Sequence, residues 1–348
     1  MYESKFMQRF CLLLVAMTIG LPTVAQDASL LLYDAPDRTQ KLLAAAQKEG
    51  ALTVYTAFRP QDLQTVLDPF EKKYDIKITV WRSGSGKVLQ RVLNEASGKR
   101  NEVDAIMIPS PEMEALYREK ILQPVKSPYF KDLIAGALPA HREYATVMLN
   151  IWVQAYNTNL IKKEDLPKTY QDLLDPKWKG KLGIEANVEE WYTAVAMDLG
   201  EEKGVKMFRD MVTRNGISVR QGMSLLNNLV VAGEVPLALS MYVDLPEKAK
   251  RKGSPIDWFV LEPVIAEGFN IGVARRAPHP NAALLFYDYM LSNETQKLLS
   301  SLYFYPASSS AQSLLSDRRI QIVDPVFALD NYQKSTKSFE DMLAGQTR

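Results

Sequence analysis

Cysteine is almost absent from this 348-residue sequence, Cys11 being the only one. It lies in an N-terminal apolar run, so the rest of the chain has no disulfide, no thiolate metal ligand and no thiol nucleophile. Histidine is nearly as scarce. His141 falls in a polar turn and His279 between two prolines, contexts that read as surface. Without a Gly-x-Ser-x-Gly elbow, spaced metal ligands or a credible Ser/His/Asp set, an exported hydrolase is disfavoured and no enzyme is expected. Neither charge sign dominates: 42 Lys and Arg face 41 Asp and Glu, a net +1 that points to neither nucleic acid nor an anionic membrane as partner. No uncharged apolar run reaches the roughly 20 residues a spanning helix needs. Repeats, low-complexity tracts and Gly/Pro-rich linkers are missing as well.

What the N-terminus does contain is a charged stretch with Lys5 and Arg9, an apolar run from Phe10 to Gly20, and a small residue at Ala25. That is the layout of a secretory signal, with cleavage expected between Ala25 and Gln26 and a periplasmic address. Cys11 sits inside the apolar run and not at its end, so no lipid anchor is expected. Losing residues 1–25 removes Glu3, Lys5 and Arg9 and brings the formal charge to zero. The remaining roughly 320 residues exceed what one core usually serves, so two domains are expected. An apolar fraction of 47% supplies both cores.

Periodicity predicts helices over 38–50, 60–74, 87–97, 167–180, 189–199, 204–213, 222–231 and 282–290, and strands over 52–55, 76–81, 103–108, 145–156, 182–184, 235–240, 256–261 and 269–273. Short strands alternating with helices indicate an α/β fold with mixed sheets covered on both faces. Ligands of such sheets lie beyond the strand ends, here after Tyr55, Trp81 and Ile108. Two domains without a linker are expected to move as a hinge. The last forty-five residues read as packing elements without a site signature.

Leu52-Thr-Val-Tyr-Thr-Ala57, Phe70 to Ile78, Arg82-Ser-Gly-Ser-Gly86, Val103-Asp-Ala-Ile106, Leu166 to Lys181 and Gly268 to Met290 resemble a class II periplasmic solute-binding protein of an ABC importer. Within that group the chain is most similar to the branch of ferric-iron and 2-aminoethylphosphonate binding proteins. The likeness covers nearly all of the chain beyond the signal. It implies a two-lobed fold with a ligand cleft between lobes, a first lobe of 46–148 plus 269–300, and a second of 149–268 plus 301–348. It also implies a monomer that closes on one small solute and delivers it to a membrane permease, without cofactor. A chemosensory role would use the same fold.

Arg82-Ser83-Gly84-Ser85-Gly86-Lys87 leaves a strand and enters a helix. Its hydroxyls and helix-start N–H groups suit an anion pocket, or equally a helix capped by Ser85 with no ligand; the family places a ligand loop here, favouring Ser83, Gly84 and Ser85. Thr56, Ala57 and Ser110 are the other strand-end candidates of the first lobe. From the second lobe come Asn187, Trp191, Tyr242 and Asp244. Ferric-binding relatives carry adjacent iron-ligating tyrosines near Tyr242, whereas here Met241-Tyr242-Val243 offers one. With one phenolate fewer for a hard cation, the expected solute is a small organic anion, with ferric iron or an iron chelate as the alternative. A cation such as a polyamine would instead call on Glu189, Glu190, Asp244 and Glu262.

Overall fold

The computed structural model describes residues 28–311, 314–315 and 317–345, so the expected export segment lies outside the described residues. The strands are β1 (Ala51–Thr56), β2 (Lys77–Arg82), β3 (Ala105–Pro109), β4 (Tyr144–Asn157), β5 (Leu182–Glu185), β6 (Ser218–Arg220), β7 (Leu237–Tyr242), β8 (Ile256–Phe259), β9 (Val264–Val273), β10 (Tyr305–Pro306) and β11 (Ile320–Ile322). The helices are α1 (Ala28–Leu31), α2 (Arg38–Glu49), α3 (Pro60–Tyr74), α4 (Ser85–Ser97), α5 (Ser110–Arg118), α6 (Glu189–Asp198), α7 (Glu201–Asn215), α8 (Met223–Ala232), α9 (Asp244–Arg251), α10 (Pro280–Leu291), α11 (Asn293–Ser301), α12 (Pro325–Asp330) and α13 (Tyr332–Ala344). Strand order is β2-β1-β3-β9-β4-β7-β5-β6, with β8 and β10 added to β4 and β11 to β9.

Each outer part of this sheet is parallel, while β9 and β4 in the middle run antiparallel to each other and to β3 and β7 respectively. Every residue of β4 and of β9 is buried. These two strands are long enough to serve two cores in succession. Up to Met148, and again from Phe269, their apolar side chains belong to one cluster with α3, α4, α10 and β1–β3. From Leu149 to Ala266 they belong to two further clusters built with α6–α8 and β5–β7. The result is a two-lobed α/β fold whose lobes share a pair of continuous strands.

Three departures from the sequence reading have local causes. The predicted helix over 167–180 is two 3-10 turns, Tyr170–Leu174 and Pro176–Trp178. Pro176 cannot donate to a continuing helix, and Thr169 and Asp172 close a capping box that starts the first turn afresh. The first lobe begins before residue 46, because Leu31 and Leu42 lie in its core and α2 packs along α10. The C-terminal arm is divided between lobes: α13 packs on α6 and α7 of the second lobe, but α12 packs on α5 of the first, where Arg118 pairs with Asp330.

The lobes are also joined by a charge network at the mouth of the cleft. Arg59, just before α3, reaches Asp244 at the start of α9 at 2.8 Å, and Lys248 of α9 reaches Asp62 of α3 at 2.7 Å and Asp244 at 3.4 Å. Arg59 also lies 5.3 Å from the Tyr242 ring centre and 5.0 Å from that of Phe304, which Lys248 approaches at 4.5 Å. Both acids are buried, so the pairs gain from weak screening, and leaving either charge without its partner is costly. This network ties α3 of the first lobe to α9 of the second.

Two outcomes follow. Asp244→Asn should open the ligand-free protein, read as a larger radius of gyration in small-angle X-ray scattering, while Asp37→Asn, which breaks an exposed pair with Lys41, should leave it unchanged. Gly204 of α7 lets α6 approach so closely that a Cβ would lie 2.4 Å from the Ala196 carbonyl oxygen. Gly204→Ala should therefore cost about 1–3 kcal/mol in a urea melt, the usual range for overpacking.

Candidate functional site

At the centre of the molecule, the β4–β9 register sets Asn150 opposite Glu267, and the β4–β7 register sets Trp152 opposite Tyr242. Alternation along β4 puts Asn150 and Trp152 on one face. The side chains converge accordingly. Tyr242 donates its hydroxyl hydrogen to Glu267 Oε1 at 2.6 Å, and Asn150 Nδ2 donates to the same oxygen at 3.1 Å. The Trp152 ring centre lies 5.4 Å from that of Tyr242, and its buried Nε1 has no partner. Glu267 is 5% exposed.

Helix starts bring further carboxyl groups to this point from both sides. Ser85 in the first turn of α4 donates to Glu112 in the first turn of α5. Glu189 and Glu190 form the first turn of α6 in the second lobe. Among the described residues none of Glu112, Glu189, Glu190 and Glu267 has a Lys, Arg or His ion-pair partner; the only side chains bonded to them are Ser85, Asn150 and Tyr242. Helix N-termini favour negative charge by only about 0.3–1 kcal/mol each, which does not offset burial.

The protonation equilibria reflect that balance. Burial pushes the Glu267 carboxyl up to about 7 against the pull of the Tyr242 hydrogen bond. It likewise raises Glu112 and Glu189. Glu190 rises well above the carboxylate range through burial and then through the charges of Glu189, Glu267 and Glu112. Burial, followed by the Glu267 charge, holds the Tyr242 phenol protonated well above its usual range. A cleft of this kind is rich in oxygen donors and starved of positive charge. Even so, among the described residues no three His, Cys, Asp or Glu groups come together closely enough to hold a metal ion unaided.

The sequence candidates take varied positions. Tyr242 lies at the centre of the site. Ser85 is at its edge but is the first residue of α4, with Gly84 at the cap position, and its hydroxyl serves Glu112. Ser83 and Ala57 are half-buried beside it, their backbone N–H groups spent on Thr56 and Met107 carbonyls. Thr56 is fully buried, donates to the Met107 carbonyl and accepts from Phe58 N, so its hydroxyl is used within the first lobe. Ser110 is likewise occupied: it donates to the Gly268 carbonyl and accepts from Asn270, in a space that exists because a Cβ on Gly268 would come within 2.6 Å of it. Trp191 is 0% exposed and packs against Tyr170 and Phe208, in the second-lobe core and away from the cleft surface. Asn187 is exposed and folds back on Glu185. Asp244 belongs to the interlobe network. Of the carboxylates a cation was expected to use, Glu189 and Glu190 are present, while Glu262 is exposed and faces Arg318.

Glu112, Asn150 and Glu267 were not among the candidates. A usable signal existed for Glu267, a charged residue inside the apolar segment Val264–Val273. Starting that strand at Phe269 left it outside. Both histidines are engaged elsewhere, His141 stacked on Tyr117 and His279 bonded to Asp104.

Known proteins match this architecture. A 2-aminoethylphosphonate-binding periplasmic protein of Salmonella typhimurium, provisionally so named, is 25% identical over 275 residues, 74% of this chain and 79% of its own. The Fe(3+)-binding periplasmic protein of Serratia marcescens is 23% identical over 193 residues, 55% of this chain and 56% of its own. Iron-bound HitA from Pseudomonas aeruginosa superposes with a TM-score of 0.72 at 21% identity, covering 84% of this chain and 99% of that structure. Among the described residues no helix is long and apolar enough to cross a membrane. The sequence profile of bacterial extracellular solute-binding proteins matches residues 106–331, the span that holds β4, β7, β9, Glu112, Tyr242 and Glu267. The chain belongs to that family, whose two-lobed members bind a solute for ABC-type import and perform no chemistry on it.

Proposed function

We propose that the interlobe cleft captures a cation on oxygen donors, and that the cation is ferric iron carried as an oxygen-ligated chelate. The observation that carries this reading is the convergence of Glu112, Glu190 and Glu267 on Tyr242 with, among the described residues, no cationic side chain paired to any of the three carboxyls. The same observation weighs against the organic anion favoured by the sequence. Arg59 is the cation nearest Tyr242, and it is already committed to Asp244. Carboxylate and phenolate oxygens suit a hard trivalent ion. Because the protein groups do not by themselves close a coordination shell, exogenous oxygen ligands complete it, which favours a chelate over the bare ion. The iron-binding relatives lend support.

A cation entering this cluster removes the repulsion among the carboxyls and so stabilises closure, a preference for the closed state that a membrane permease can read. The signal-like segment at residues 1–25 supports export to the periplasm for that encounter.

Ferric citrate added to the ligand-free protein should raise a visible tyrosinate-to-iron absorption band. Tyr242→Phe should abolish the band, and Glu267→Gln should weaken ferric binding at least tenfold. A wild-type protein that shows no band would rule out phenolate ligation. The empty protein should also respond to pH. Glu267 binds its proton more tightly folded, at about 7 against 4.5 unfolded, so its contribution is complete below pH 4.5 and is lost as pH rises through 7. The unfolding free energy from urea melts should therefore fall between pH 5 and 7.5 by an amount on the order of 2 kcal/mol, and Glu267→Gln should flatten that dependence.

A further inference from the structure

Beside the cleft, between α6 and the C-terminal arm, is a cavity of about 180 Å³, several times the ~30 Å³ that one water occupies. Glu189, Glu190 and Met197 of α6 line one side, and Val323, Phe327 and Tyr332 of the C-terminal arm are among the apolar and aromatic side chains that complete the lining. A smaller pocket of about 110 Å³ adjoins it, sharing Met197 and Phe327. Glu189 is only 8% exposed, yet no side chain donates to it and no ion pair neutralises it. The remaining acid of the wall, Asp324, is occupied in capping α12 through the N–H groups of Val326 and Phe327. Lys334 at the edge of the smaller pocket is paired with Glu201.

The surface around the opening is unusual for this molecule. Of the nine large apolar side chains that stand exposed among the described residues, Met197, Phe327 and Tyr332 line this cavity. Exposed apolar surface gathered at one opening marks a binding region more often than singly scattered side chains do. An apolar, aromatic-walled chamber with an uncompensated carboxylate on one side is complementary to an ammonium group bearing a compact hydrocarbon arm. The carboxylate takes the charge, the rings of Phe327 and Tyr332 add cation–π attraction, and the arm displaces water from Met197 and Val323.

We propose that this chamber, which adjoins the cleft and shares Glu190 with it, is a second binding site, for a small organic ammonium ion. Its position gives it reach over both lobes. The arm that closes it rests on α5 of the first lobe through α12 and on α6 of the second through α13.

The test is calorimetric titration of the full chain with n-pentylammonium, with n-pentanol and pentanoate as neutral and anionic counterparts. Pentylammonium should bind, pentanol should bind at least tenfold more weakly, and pentanoate should not bind. Glu189→Gln, nearly isosteric, should weaken pentylammonium at least tenfold. Ala194→Phe, which fills the chamber from α6, should abolish amine binding while keeping the ferric citrate absorption band. Tyr242→Phe should do the reverse. Equal binding of pentanol or pentanoate, undiminished amine binding in Glu189→Gln, or stoichiometric displacement of the amine by ferric citrate would each overturn the proposal. Absence of a ferric band with amine binding intact would instead overturn the cleft assignment and leave this one standing.

Discussion

The antiparallel ladder between β4 and β9 is the constraint on which the rest of the molecule depends. Two strands of fourteen and ten residues, buried along their whole length, cross from one core to another without a break. Backbone hydrogen bonding along the ladder must be satisfied throughout, since no water reaches it. That requirement fixes which residues of the two strands face each other, and it is why Glu267 meets Asn150 and why both meet Tyr242 from the neighbouring β7. A charged side chain in such a place is tolerable only because two donors hold one of its oxygens and because burial lifts its affinity for a proton.

Apart from Tyr242 of β7, the side chains that approach this point from outside the two strands come from helix beginnings. α4 and α5 bring Ser85 and Glu112, α6 brings Glu189 and Glu190, and α9 brings Asp244. The strand-then-helix pattern makes this convergence general for the fold, since strand ends and helix starts point the same way. What is particular to this chain is the sign. Acid meets acid in the centre, whereas at the mouth acid meets base through Arg59, Asp62, Asp244 and Lys248. The centre therefore lacks a counter-charge that the mouth already possesses.

The C-terminal arm shows how a packing element acquires a second significance. Its helices carry ordinary amphipathic spacing and no motif. Yet α12 bears on one lobe and α13 on the other, so the arm is sensitive to their relative position. Phe327 and Tyr332 are left exposed beside Glu189 because the turn between α12 and α13 follows both lobes and buries its apolar side chains in neither.

The sequence by itself determined the α/β alternation, the near-exact bounds of α3 and β4, the two-lobed family resemblance and the strand-end position of Tyr242, since periodicity and proline and glycine placement are local properties. Absences were equally informative: one cysteine and two histidines removed thiolate chemistry and most metal and nucleophile sets. Only the tertiary structure decided which polar residues were free. Thr56, Ser110 and Trp191 have the right residue type at the right kind of position, but their hydroxyls or rings are consumed by partners distant in sequence, Met107, Gly268 and Phe208. Glu112 and Glu267 stand out for the opposite circumstance, the lack of any cationic partner among the described residues, and no local pattern records such a lack. The sign of the cleft is a sum over elements drawn together from residues 112 to 267, and it comes into being only when the two central strands align.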